Sequence, residues 1–201
     1  MRAWTKLATD VHNNAVAHGW WDEERSFDEI CALIHSEISE ALEEFRAGRP
    51  VVWYACTEGD PGLMCDPGDE SDCFQYGHES DCQYRGDKPE GIAVELADVI
   101  IRILDFFGKE GVTASSEIRK AAKKLGTDGY KDMSFGAFAN ELHNYISAAF
   151  LLPGHEIENL AMCICAIMRW SENNGVLMDK IIIEKHLYNE TRPYRHGGKK
   201  L

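Results

Sequence analysis

The stretch PEGIAVELADVIIRILDFFG, residues 89–108, decides the fold because it predicts one helix that is apolar almost all round. Such a helix has to be buried, so the rest of the chain must pack around it. From Val94 onward its polar residues recur at helical spacing and share one stripe: Glu95, Asp98, Arg102 and Asp105. An ordinary solvated face remains an alternative, but it would be wider and richer in lysine. We therefore interpret the stripe as functional.

A second acidic motif, Glu37-Ile38-Ser39-Glu40, lies on another predicted helix. In both motifs two carboxylates stand three residues apart, so each pair shares a helix face. Four carboxylates in a helical core would repel one another and be costly to desolvate, unless a divalent cation binds them. Oxygen ligands favour Mg²⁺, or Mn²⁺. The predicted metal ligands are Glu37, Glu40, Glu95 and Asp98. Arg102 would neutralise part of the stripe, and Asp105 is a candidate additional group at the metal.

The remaining sequence predicts an all-α helical bundle. The Ser26-Phe27-Asp28-Glu29 stretch has capping-box spacing and opens a helix that ends near Gly48. Pro89 is expected in the first turn of the buried helix. Residues 51–88 are rich in Gly, Asp and Cys and show no helical period or strand alternation. We interpret them as an inserted loop or lid within a single domain of residues 1–201. The other predicted helices are 2–18, 114–125, 135–150, 156–173 and 177–190.

Composition narrows the class of protein. The formal net charge of −13 argues against general binding to nucleic-acid backbones. No apolar run reaches the roughly 18 residues of a membrane span, and the N-terminus lacks a signal peptide's apolar core. We therefore expect a cytoplasmic protein without membrane or nucleic-acid partners. In that compartment cysteines are reduced thiols or metal ligands.

The insert contains four of the seven cysteines, namely Cys56, Cys65, Cys73 and Cys82. Four thiols in a short segment are a candidate zinc site, although their spacings contain no Cys-x-x-Cys knuckle. An acidic lid without metal is the equally open alternative.

The C-terminal segment is basic in an otherwise acidic chain. Lys185, Asn189 and Arg192 share a helix face by their i, i+4 and i+7 spacing. Such a stripe can bind phosphate oxygens opposite a metal. The alternative is a solvated tail, because lysine and arginine also favour helix C-termini.

These segments together resemble a known family. SEISEALEEFR (36–46), ELADVIIRILD (95–105) and KHLYNETRPYRHGGK (185–199) are similar in order and character to the MazG-like nucleotide pyrophosphohydrolases. These belong to the all-α NTP pyrophosphatase superfamily, with relatives among the dimeric dUTPases and dCTP pyrophosphatases. The resemblance covers most of the chain outside residues 51–88. It implies Mg²⁺ at the four acidic residues, phosphate contacts from Lys185, Asn189 and Arg192, and a homodimer or homotetramer with helices 135–173 in its core.

The resemblance also implies the reaction. We expect Mg²⁺-dependent hydrolysis of a nucleoside triphosphate to the monophosphate and pyrophosphate, with Glu37 or Glu40 activating the water. His12 and Trp21 stand where the dCTP-cleaving relatives form their base pocket, so they are candidates for that role. Packing at a helix end is the alternative for the tryptophan. Two other functions stay open: cleavage of a modified, signalling or phosphoribosyl nucleotide, and a non-enzymatic, metal-stabilised helical scaffold.

Overall fold

The computed structural model describes residues 4–55, 64–65, 88–126 and 130–195. Over these ranges the protein is predominantly helical, which confirms the all-α prediction. None of the described helices is both long enough and apolar enough to cross a membrane. The described residues form seven helices: α1 (Trp4–Ala17), α2 (Phe27–Arg46), α3 (Ile92–Lys109), α4 (Ala114–Leu125), α5 (Phe135–Leu151), α6 (Glu156–Asn173) and α7 (Met178–Glu190).

Helix α3 forms the centre of the bundle, as its apolar sequence predicts. It packs against α1, α2, α6 and α7. Its side chains Leu96, Ile100, Ile103, Leu104 and Phe107 are fully buried. Around it, α4 packs on α1 and α6, and α5 packs on α2 and α6. A single hydrophobic cluster contains residues from all seven helices. The two faces that carry the acidic motifs are therefore brought together by the packing of α2 on α3.

A small antiparallel sheet lies between α2 and α3. Its strands are β1 (Trp53–Ala55), β2 (Met64–Cys65) and β3 (Lys88–Glu90), in the order β2-β1-β3. Trp53 lies opposite Glu90, and Tyr54 lies opposite both Pro89 and Cys65. The segment predicted as an inserted loop or lid therefore includes short strands at these residues. Strands of two or three residues are too short to show alternation in a sequence.

The start of α3 also differs from the prediction. Pro89 lies in β3 and not in the first helical turn, and α3 begins at Ile92. Gly91 separates the two elements with a φ of 105°, in the left-handed region that favours glycine. A Cβ at this position would lie 2.8 Å from the carbonyl oxygen of Val51. That oxygen accepts a hydrogen bond from the Ala93 amide at 3.0 Å. The close approach at Gly91 therefore fixes the sheet against the start of α3.

The start of α2 follows the predicted capping box. Ser26 is the N-cap residue, and its amide donates to the Glu29 carboxylate at 2.9 Å. The Ser26 hydroxyl donates to the same carboxylate at 3.0 Å, and the bond from the amide satisfies a donor that would otherwise stay unpaired at the helix start. This capping box fixes where α2 begins and therefore which of its residues face α3, including Glu37.

Candidate functional site

Three of the four predicted metal ligands converge between α2 and α3. Glu37, Glu95 and Asp98 each contribute a carboxylate oxygen, and these oxygens lie within 4.8 Å of one another. Glu37 and Glu95 are buried at 6% exposure each, and the Asp98 side chain is 15% exposed. Glu40 is exposed and its carboxylate accepts a hydrogen bond from the Ser36 hydroxyl at 3.1 Å. The three-carboxylate cluster therefore contains Glu37, Glu95 and Asp98, with Glu40 outside it.

Burial and mutual repulsion disfavour full ionisation of the cluster. Burial, followed by the charge of Asp98, raises the pKa of Glu95 to about 8. Burial also raises the pKa of Glu37, and Asp98 and Glu40 add to this effect while Arg102 opposes it. A divalent cation would offset both the desolvation and the repulsion. The oxygen-only donor set fits Mg²⁺ or Mn²⁺.

Two cationic side chains contact the cluster directly. Arg102 donates to Glu37, with Nε and Oε1 separated by 2.6 Å. Lys185, on α7, lies 2.9 Å from Asp98 and is 3% exposed. Burial alone would lower the pKa of Lys185, but the charges of Asp98 and Glu95 outweigh burial and raise it. Lys185 therefore stays an ammonium group. The sequence predicts it opposite the metal, and in the structure it contacts one of the predicted ligands, Asp98.

A cleft of about 330 Å³ lies over the cluster and combines acidic with basic side chains. Its volume is in the range of small-molecule sites. Every predicted metal and phosphate residue lines it, so the structure brings that set together: Glu37, Glu40, Glu95, Asp98, Lys185, Asn189 and Arg192.

Further charged residues in the cleft wall were not predicted. Arg25, Lys88 and Glu90 also line it. They lie just before the starts of α2 and α3, where no periodic pattern marks them in the sequence.

Asn189 presents a polar atom that the described residues leave unpaired. Its side-chain Oδ1 is buried and has no hydrogen-bond partner within the described ranges. A buried amide oxygen without a partner is unfavourable. A water or a donor group of a ligand in the cleft can therefore pair with this oxygen, while a phosphate oxygen would accept from the Asn189 NH₂ group.

His12 and Trp21 do not line the cleft but support a residue that does. The carboxylate of Asp105 is 2.7 Å from His12 Nδ1 and accepts from Trp21 Nε1 at 3.0 Å. The two rings pack edge to face, with centroids 5.4 Å apart. The neighbouring Trp20 lines the cleft instead. The base-pocket role of His12 and Trp21 stays a prediction. Their hydrogen bonds hold the Asp105 carboxylate in position.

The chain matches no protein-family model, no curated protein and no solved structure. The geometry of the cleft is therefore the basis for interpreting this site.

The predicted zinc ligands lie largely outside the described residues. This holds for Cys56, Cys73 and Cys82, while Cys65 contributes its backbone to β2. Three cysteines elsewhere are buried thiols: Cys31, Cys163 and Cys165. Burial raises the pKa of Cys31 to about 11, so it stays protonated at neutral pH.

Chemically, the cleft can combine three functions. The three-carboxylate cluster can hold a divalent cation. Lysine and arginine side chains beside it can bind phosphate oxygens. Glu40 lines the same cleft without belonging to the cluster, so its carboxylate can accept a proton from water.

Proposed function

We propose that the protein hydrolyses nucleoside triphosphates to nucleoside monophosphates and pyrophosphate with Mg²⁺. One observation carries the proposal: the buried three-carboxylate cluster and the cationic residues Lys185, Arg192 and Arg102 line one cleft. This combination suits a polyphosphate bound together with a divalent cation. Attack at the α-phosphorus comes from the resemblance to MazG-like pyrophosphohydrolases.

Each group in the cleft has a role in this proposal. Mg²⁺ held by Glu37, Glu95 and Asp98 would neutralise phosphate charge and polarise the phosphoryl oxygens. Lys185, Asn189 and Arg192 bind phosphate oxygens. Glu40 accepts the proton of the attacking water, whose oxygen bonds to the α-phosphorus. The bond from the α-phosphorus to the α–β bridging oxygen breaks, and pyrophosphate leaves with that oxygen.

Glu40 is a better candidate for the proton acceptor than Glu37. The Glu37 carboxylate is buried, belongs to the cluster and is paired with Arg102. Glu40 is exposed in the cleft and bonded only by a neutral hydroxyl, that of Ser36, among the described contacts. A carboxylate with an open approach can reach water, whereas a paired ligand is committed to binding.

The direct test is a panel of the common ribonucleoside and deoxyribonucleoside triphosphates with Mg²⁺, with pyrophosphate and nucleoside monophosphate quantified separately. We expect pyrophosphate release that Glu95→Gln abolishes and that Glu40→Gln lowers by about 10²-fold or more while Mg²⁺ still binds. Glu43→Gln is the matched control, since Glu43 lies on the same helix but is exposed and pairs with Arg46. No release from any nucleotide, together with intact Mg²⁺ binding, would overturn the proposal.

The same experiment separates the other functions. Turnover confined to modified, signalling or phosphoribosyl nucleotides in an extended panel would keep the chemistry and change the substrate. Mg²⁺ binding that stabilises the fold with no turnover of any nucleotide would favour a metal-stabilised scaffold.

Homo-oligomerisation is part of the proposal. The end of α5 exposes three consecutive apolar residues, with Phe150 at 51%, Leu151 at 67% and Leu152 at 51% exposure. They lie within the 135–173 region expected in the oligomer core, and an apolar patch of this kind is typical of an interface. Light scattering after size-exclusion chromatography should give a dimer or tetramer mass. Leu151→Ser should shift it towards the monomer.

We propose that the insert, residues 51–88, binds zinc through its cysteines. The basis of this proposal is the presence of four cysteines in that segment. Metal analysis of freshly purified intact protein should give one zinc per chain. A chain without zinc would favour the acidic lid.

A further inference from the structure

The residues that follow α7 contact the turn that follows α1. We call residues 18–23 the Trp20 turn, and its contacts with Tyr194 and Arg195 the clasp. The Arg195 amide donates to the His18 carbonyl at 3.0 Å, and Arg195 Nε donates to the Gly19 carbonyl at 3.1 Å. The Tyr194 hydroxyl donates to the Asp22 carboxylate. The clasp therefore joins two segments from opposite ends of the sequence.

Charge reinforces these hydrogen bonds. A guanidinium nitrogen of Arg195 lies 3.9 Å from Asp22 and 3.8 Å from Glu23. Exposed ion pairs at such distances are weak individually. Here they act with two bonds from the same arginine to backbone carbonyls, which fixes the orientation of the turn as well as its position.

Backbone conformation is adapted to the clasp on both sides. Gly19 has a φ of 76°, and a Cβ there would overlap the ring of Tyr194. Only glycine allows both the conformation and the close approach. Arg195 itself has a φ of 46°, which is uncommon for a residue with a side chain. Such a conformation persists where the surrounding contacts hold it in place.

The clasp connects two segments that both line the cleft. His18 and Trp20, on the Trp20 turn, line it, and so does Arg192, three residues before Arg195. The guanidinium of Arg25 lies 4.9 Å from the ring centroid of Trp20, a cation–π distance. An aromatic side chain in a cleft wall can stack on a planar ring. The orientation of the Trp20 turn therefore decides what the cleft can bind beyond the phosphates.

We propose that Tyr194 and Arg195 are positioning residues that hold the Trp20 turn against the cleft and so set its affinity for the nucleoside part of the substrate. The kinetic consequence rests on the proposed function. A turn that is already ordered lowers the entropic cost of substrate binding. The three-carboxylate cluster is built by α2 and α3, so loosening the clasp should leave Mg²⁺ binding intact.

The test compares Gly19→Ala with Gly48→Ala. Both glycines have a positive φ, 76° and 65°, but a Cβ at Gly48 would meet nothing within 4 Å. Backbone strain is thus matched, while only Gly19→Ala displaces Tyr194. Tyr194→Phe removes the hydroxyl bond alone, and Arg195→Ala removes the bonds from the guanidinium. Thermal unfolding with and without Mg²⁺ checks that each variant is folded and binds the metal.

The expected result is a rise in KM of about tenfold for Gly19→Ala and Arg195→Ala, with kcat changed less than about twofold. Tyr194→Phe should show a smaller rise in KM. Amide hydrogen exchange of residues 18–23, measured without nucleotide, should accelerate in these variants and not in Gly48→Ala.

Two outcomes would overturn the proposal. One is exchange and KM values in Gly19→Ala and Arg195→Ala that equal those of Gly48→Ala. The other is a parallel loss of kcat and of the Mg²⁺-induced stabilisation, which would make the contacts generally structural. If the wild-type protein turns over no nucleotide, the proposed function fails, and so does the kinetic role given to the clasp. The exchange comparison then still shows whether the clasp orders the Trp20 turn.

Discussion

Ionisation of Glu95 is opposed both by burial and by neighbouring carboxylates. This residue is 6% exposed. Burial, and then the charge of Asp98, raise its pKa from 4.5 to about 8. The charge of Lys185 lowers this pKa, and the charges of Glu37 and Glu40 raise it further. The metal-free folded protein therefore keeps a proton on Glu95 that the unfolded chain has lost above about pH 4.5. The difference in pKa adds to the free energy of unfolding. This addition is fully present below pH 4.5 and is lost as the pH rises through 8.

A proton should therefore leave when Mg²⁺ binds at neutral pH. Because Glu95 is still largely protonated at pH 7, we expect the release of close to one proton for each Mg²⁺ bound. Titration calorimetry in buffers of different ionisation enthalpy measures this number. Glu95→Gln, which lacks one carboxylate of the cluster, should bind no Mg²⁺ and give no such buffer-dependent heat. Binding heats that do not change with the buffer would contradict the prediction.

A half-buried histidine pair should make stability depend on pH in the opposite direction. His35 of α2 and His143 of α5 have their Nδ1 atoms 2.7 Å apart, so one imidazole donates a hydrogen bond to the other. Their rings stack with centroids 5.0 Å apart. Burial lowers both pKa values, and His35 lowers that of His143 further. A lowered histidine pKa gives stability that is present above the unfolded value of 6.5 and lost as the pH falls below it.

The measurement is the urea midpoint at pH 7.5 and at pH 5.5. We expect the wild-type midpoint to fall at the lower pH by more than that of a His35→Phe/His143→Phe variant. That variant retains two stacked rings but cannot titrate. Equal changes in the two proteins would show that the pair does not contribute to acid sensitivity.

At the scale of elements, α1 and α3 approach each other at backbone distance. A Cβ on Gly108 would lie 2.5 Å from the Ala8 carbonyl oxygen and 2.5 Å from the His12 Cβ. The approach holds His12 within reach of Asp105, whose carboxylate lines the cleft. A residue larger than glycine at position 108 would therefore disturb both the packing and the site.

Gly108→Ala should destabilise the protein by about 1–3 kcal/mol, because the overlap with α1 outweighs the better helix propensity of alanine. The matched control is Gly136→Ala on α5, where a Cβ would meet nothing within 4 Å. Gly136 is the second residue of α5, so that change should stabilise the protein by at most about 0.5 kcal/mol. Denaturant unfolding of both variants gives the comparison, and a neutral or stabilising Gly108→Ala would refute the proposed close approach.

The sequence predicts the helices better than it predicts the contacts between them. Helices α4 and α6 have the predicted bounds, and α5 and α7 differ from them by one residue, because apolar periodicity and flanking glycines are local signals. The sheet was missed because β1 and β3 are three residues each and pair across more than 30 residues. No local pattern encodes such a pairing.

The same distinction applies to the site. Glu95 and Asp98 could be paired from the sequence because helix geometry fixes residues three apart. The same spacing predicts Glu40 beside Glu37, and Glu40 does line the same cleft. It lies outside the cluster: Glu37 is buried, whereas Glu40 is exposed. The contact between Lys185 and Asp98 depends on how α7 packs on α3, and no spacing within either helix reveals it.

At the scale of the whole molecule, the cleft is assembled from both ends of a strongly acidic chain. The net charge is −13, so the overall field attracts cations and repels anions. Within the cleft this field is opposed locally by five cationic side chains: Arg25, Lys88, Arg102, Lys185 and Arg192. Carboxylates line the same cleft, so an anionic substrate is favoured there once a divalent cation is present.

Salt dependence should separate the specific cation site from general screening of the net charge. MgCl₂ and NaCl at equal ionic strength screen a charge of −13 to a similar extent. A cation bound only by the folded state adds about 2.7 kcal/mol when its concentration is 100 times Kd. We therefore expect MgCl₂ to raise the wild-type Tm well beyond NaCl, and the two salts to act alike on Glu95→Gln. Equal effects on the wild-type protein would mean that the three-carboxylate cluster binds no Mg²⁺, which would remove the basis of the proposed function.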